Sequence, residues 1–119
     1  MKVKYLALLI LPVLLSCNSD NNDEVNVDVV ISNGALQCQD NAISISTTKE
    51  YLTGAGISVK AESCGVLIGV GVVTLCGAET GQVHVFSIDE NDLHKAENLG
   101  FIDSSTLDEG FKVVECGSL

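Results

Sequence analysis

Five cysteines, Cys17, Cys38, Cys64, Cys76 and Cys116, and two histidines, His84 and His94, are the side chains of this 119-residue chain best suited to chemistry. A zinc site would need them at short, regular spacing, and no Cys-x-x-Cys is present. Neither histidine falls into a ligand pattern with the cysteines, and the missing Cys-x-x-Cys also argues against thioredoxin-like redox chemistry. No Ser, Cys or Asp motif of catalytic spacing accompanies His84 or His94, so each is expected to be a surface or edge histidine rather than a general base. Gly69-Val70-Gly71 begins like a dinucleotide fingerprint, but Thr74 stands at the third glycine position. Asp89-Glu90-Asn91-Asp92 starts like a calcium loop, yet Leu93 and His94 replace an oxygen ligand and a glycine, so its acids read as helix caps. The expectation is a non-catalytic protein with no metal and no cofactor.

Cys17 is set apart by its position. Lys2 and Lys4 precede an apolar run from Tyr5 to Ser16 that contains Pro12. A spanning helix needs about 20 apolar residues, so the run reads as an export signal, residues 1–16. Leu14-Leu15-Ser16-Cys17 resembles the lipobox of bacterial lipoproteins. That resemblance implies cleavage before Cys17, diacylation of its sulfur with fatty acids such as palmitate, and a lipid anchor in the cell envelope. Several acyl chains, at about 0.8 kcal/mol per buried CH₂, hold a protein to a bilayer essentially permanently. Asn18 after the cysteine is compatible with outer-membrane delivery, on the periplasmic side or at the cell surface. The polar, acidic stretch from Asn18 to Glu24 continues as a tether, residues 17–33 in all.

Four cysteines remain after Cys17, an even number in an exported chain, and disulfides are the natural reading. They allow three connectivities. The run from Cys64 to Cys76 is apolar without alternation. As one extended strand it would hold its two cysteines roughly 40 Å apart, beyond the roughly 7 Å Cα limit of a disulfide. A fold-back at Gly69-Val70-Gly71 would set Cys64 opposite Cys76, and this register favours Cys64–Cys76 with Cys38–Cys116 as the second pair.

The elements expected to carry these cysteines lie in residues 34–117, read as one disulfide-stabilised domain. Val25-Asn26-Val27-Asp28-Val29 alternates and is expected before the domain or as its edge strand, with Ala35–Gln39 as a first core strand. Thr47-Thr48-Lys49-Glu50 reads as a capping box opening a short helix through Tyr51, Leu52 and Ala55, which Gly54 and Gly56 end. Ser58–Glu62 and Val83–Ile88 read as strands, separated by the apolar hairpin. Asp89-Glu90-Asn91-Asp92 opens a second helix with Leu93, Ala96 and Leu99 on its buried face, Gly100 stops it, and Phe111–Cys116 is a last strand. The fold class is α+β: a two-layer sandwich with two short helices on a mostly antiparallel sheet, ferredoxin-like (βαββαβ) or an elaboration of it with an extra hairpin.

Composition narrows the partners. Loss of Lys2 and Lys4 with the signal takes the net charge from −10 to −12, and the rest of the chain has four lysines and no arginine. Such a surface does not neutralise phosphates, so nucleic acid is excluded. With no Trp, three Phe and two Tyr it offers little for stacking on bases. The sequence points to a membrane held through the lipid anchor and to a protein or cell-wall partner of neutral or basic surface. The role expected is a binding module. A structural envelope lipoprotein packed into a larger assembly, or an anchored inhibitor of a hydrolase using the Gly77–Gly81 loop, are the alternatives.

Overall fold

The structure is a computed structural model and describes residues 24–71 and 74–118. Its elements run β1 (Asn26–Ser32), α1 (Ile45–Thr53), β2 (Val59–Leu67), β3 (Gln82–Asp89), α2 (Leu93–Asn98), β4 (Ile102–Asp103) and β5 (Phe111–Val114). Five strands form one sheet in the order β4-β1-β3-β2-β5, and every neighbouring pair is antiparallel. The protein is therefore a small α+β domain with a five-stranded antiparallel sheet and two short helices.

β3 is the central strand, and its residues are buried from both sides. Phe86 and Ile88 face the helices and meet Val29, Leu52, Ile57, Ala96 and Phe101. The rings of Phe86 and Phe101 pack edge to face with centroids 6.0 Å apart, the arrangement their quadrupoles favour. The intervening residues Val83 and Val85 point to the opposite face, where Val30 joins them and Leu67, Leu107 and Phe111 pack alongside. Both faces of the sheet are thus partly covered, the second by the segment that leads into β5. Burial on two faces accounts for the nearly continuous apolar character of Val83–Ile88.

β1 corrects the expected domain boundary. The stretch assigned to a tether or an edge strand lies inside the sheet, between β3 and β4, with Val29 opposite Phe86 and Val30 opposite Val85. The alternation of Val25–Val29 gives way to three apolar residues in a row, Val29, Val30 and Ile31, and this run lets the strand bury residues on both faces. The domain therefore begins before residue 34. The expected first core strand, Ala35–Gln39, is instead a loop carrying one isolated bridge, Leu36 to Glu79.

Helix α1 starts earlier than the Thr47 capping box implied. Ser44 is the N-cap, and its Oγ accepts the Thr47 backbone N–H at 3.3 Å. The earlier start adds Ile45 to Thr48 and Leu52 on the face that packs against the sheet. Gly54 stays right-handed, and the left-handed stop is Gly56 at φ 84°, after which Ile57 N–H returns to the Leu52 carbonyl. The Asp89 carboxylate accepts from Asn91 N–H at 2.8 Å and so caps the short 3-10 turn Glu90–Asp92 that leads into α2, and Gly100 follows the helix at φ 103°. Ala96 is buried and Leu93 half-buried as expected, whereas Leu99 is exposed.

The expected tight hairpin is absent. β2 continues through Cys64 to Leu67 and pairs with β3 from Val66↔Gln82 onward, and the described residues between the two strands, 68–71 and 74–81, lie in a loop. Gly65 permits the close approach of β5, since a Cβ there would lie 3.1 Å from the Lys112 carbonyl oxygen.

Candidate functional site

The disulfides are Cys38–Cys76 and Cys64–Cys116, each with Cα atoms 5.1 Å apart. All four cysteines pair as expected, but the proposed connectivity is overturned. With no fold-back at Val70, Cys76 is carried out on the long loop to the 33–43 segment, and Cys64, held in mid-strand beside β5, takes Cys116. In the chain-entropy account, closing loops of 38 and 52 residues stabilises the fold by about 4 kcal/mol each.

The first bridge braces a loop pair. Gln37 N–H donates to the Ala78 carbonyl and Gly77 N–H to the Gln37 carbonyl, both at 2.9 Å, while Gln37 Oε1 accepts from Leu75 N–H. Thr80 Oγ1 donates to the Ala35 carbonyl, and Asn33 Nδ2 donates to Gln82 Oε1. Beside this brace Leu75 is 64% exposed, and at the other end of the loop, where Ile68 N–H donates to the Gly110 carbonyl at 3.1 Å, Ile68 and Val70 are 43% and 46% exposed. The apolar run that sequence alone placed between buried faces is thus divided: Cys64 and Gly65 are buried and Val66 and Leu67 half-buried in β2, whereas Ile68, Val70 and Leu75 are displayed to solvent. Gly69-Val70-Gly71 belongs to this loop and cradles nothing at a helix start.

The second bridge borders a cavity of about 380 Å³, lined by Asn33, Ala42, Ile43, Ser44, Ile45, Cys64, His84, Cys116 and Gly117. His84 is 3% exposed, in the central strand, with Cys64 opposite it on β2 and Ile31 opposite it on β1. The expectation of a surface histidine fails here. The physical signal was its setting: an imidazole flanked by Val83, Val85 and Phe86 goes inside with them and requires a buried polar partner. That partner is Thr48 on α1, whose Oγ1 lies 2.8 Å from His84 Nδ1. Burial pushes the His84 pKa below its usual value, and the carboxylate of Glu62 opposes this only in part. His84 is accordingly neutral at pH 7. His94 matches its expectation: its side chain is 98% exposed, with Glu97 3.4 Å away.

Both cysteines of the cavity are joined to each other, so neither is a free thiol nucleophile. Among the described residues no group of three or more His, Cys, Asp or Glu could hold a metal ion, and no helix is long and apolar enough to cross a membrane. Cys17 lies outside the described residues. No protein-family model, curated protein or solved structure matches the chain.

Proposed function

We propose that this chain is a lipid-anchored envelope protein whose acidic domain is a non-catalytic binding module, offering the loop around Ile68, Val70 and Leu75 to a protein partner. The observation that carries this reading is the loop itself: Ile68, Val70 and Leu75 are exposed on a loop whose Leu75 end is braced by the Cys38–Cys76 disulfide and whose Ile68 end is bonded to the Gly110 carbonyl. Large apolar side chains displayed on one braced loop are a feature of contact surfaces. Bracing keeps the ordering cost of binding low. The two disulfides suit an oxidising, exported setting, and the lipobox-like Leu14-Leu15-Ser16-Cys17 supplies the anchor. Asn18 after the cysteine is compatible with an outer-membrane position, facing the periplasm or the exterior.

The order β1-α1-β2-β3-α2-β4, with β4-β1-β3-β2 as consecutive strands, is read as a ferredoxin-like arrangement to which β5 is added beside β2. That arrangement hosts many activities and adds nothing to the functional argument.

The reading is tested in cells with the full chain. A photo-crosslinking residue at Val70 is expected to give a discrete adduct, and the same residue at the exposed Glu97 none. Identical patterns at the two positions would count against the loop. Cys17→Ser should move the protein from the membrane to the soluble fraction, and unchanged detergent partitioning would remove the anchor.

A further inference from the structure

The cavity beside His84 has a polarity that the loop does not explain. It opens between the end of β1, the first residues of α1 and the Cys64–Cys116 bridge, and none of its lining side chains carries a charge at neutral pH, in a chain of net charge −10. Ala42, Ile43, Ile45 and the disulfide supply an apolar wall. Its polar groups are largely spent. Asn33 Nδ2 donates to Gln82 Oε1 at 3.0 Å and its Oδ1 accepts from Ala35 N–H at 2.9 Å. Ser44 Oγ caps α1 and lies 3.0 Å from the hydroxyls of Ser46 and Thr47.

His84 is the exception. The single hydroxyl proton of Thr48 is directed to the Ile45 carbonyl at 3.1 Å, so at the 2.8 Å contact Thr48 Oγ1 accepts and His84 Nδ1 carries the proton. In that tautomer Nε2 holds a lone pair, and no described residue donates to it. A ligand that brings one donor together with an apolar body can satisfy this acceptor while covering the apolar wall.

We propose that this cavity binds a small, uncharged, mainly apolar molecule bearing one hydroxyl or amide N–H, which donates to His84 Nε2 while the hydrocarbon body lies against Ile43, Ile45 and the Cys64–Cys116 disulfide. The volume lies within the range of small-molecule sites. A charged ligand is disfavoured, because nothing lining the cavity would neutralise it. This site is independent of the loop around Val70, and either can fail alone.

The test uses the full chain labelled with ¹⁵N-histidine, and cyclohexanol and methoxycyclohexane as probes that share a hydrocarbon ring and differ in the donor. Before any addition, His84 should show a protonated Nδ1 and a bare Nε2; the opposite tautomer overturns the proposal. Cyclohexanol is expected to shift the Nε2 resonance saturably and to bind about fivefold more tightly than methoxycyclohexane, the factor one ordinary hydrogen bond contributes. Equal binding of the two probes, or no saturable shift with cyclohexanol, refutes the assignment. In His84→Phe the preference for the alcohol should vanish. The wild-type spectra decide the matter even if that variant does not fold.

Discussion

Thr48 and His84 are 36 residues apart in sequence and meet at 2.8 Å beneath helix α1, the hydroxyl oxygen against Nδ1 of a buried neutral imidazole. This contact joins the helix layer to the central strand of the sheet. It also makes stability depend on pH in a definite direction. Burial lowers the folded-state pKa of His84 below 6.5, so the unfolded chain takes up the proton more readily. The stabilisation from His84 is complete above about 6.5 and is lost as the pH falls from there through the folded-state value.

Urea unfolding between pH 8 and pH 5 should therefore show a fall in stability that is shallower in His84→Phe; identical slopes in the two proteins would mean that His84 is not buried. Thr48→Val, which leaves the imidazole N–H without an acceptor, should cost about 1–3 kcal/mol at neutral pH. In an NMR titration Glu62→Gln should lower the His84 pKa further, because the carboxylate is the charge that raises it.

Non-reducing peptide mapping should join Cys38 to Cys76 and Cys64 to Cys116. Recovery of a Cys64–Cys76 peptide would instead require the fold-back at Val70 and a different β2–β3 register. Removing either bridge by paired Cys→Ala substitution should lower stability by up to about 4 kcal/mol, measured by thermal unfolding.

Phe86 and Leu75 separate packing from display. Phe86→Ala, at a fully buried position in contact with Phe101, should cost about 3–5 kcal/mol. Leu75→Ser, at a position 64% exposed, should change stability by no more than about 0.5 kcal/mol while weakening partner capture. A large loss of stability in Leu75→Ser would show that the loop serves the core.

A chain beginning at residue 34 would lack β1, the strand between β3 and β4, and should remain unfolded by circular dichroism. One beginning at residue 24 should fold cooperatively. Equal folding of the two would return residues 26–32 to the tether.

Local features were legible in the residues. The strand Val83–Ile88, the Asp89 cap, the glycine stop at Gly100 and the two-helix α+β class depend on interactions within a turn or on short-range periodicity, and one sequence carries that information. The helix at Ile45 was legible to within a few residues, because Ser44 and Thr47 offer the same capping chemistry and only burial of Ile45 chooses between them. The even cysteine count and the acidic charge likewise came from composition alone.

What tertiary structure decided were the long-range pairings. Alternating Val27, Val29 and Ile31 suit an edge or an interior strand, and the choice came from pairing with β3 across more than fifty residues of chain. His84 became a core residue because α1 brought Thr48 over it. Cys76 found Cys38 because β2 ran on to Leu67 rather than turning at Gly69, so Ile68, Val70 and Leu75 beyond it were left in solvent. The physical reason is common to all three: turn and cap preferences are set by neighbours in sequence, whereas register, burial and disulfide partners depend on which distant segments share a face of the sheet.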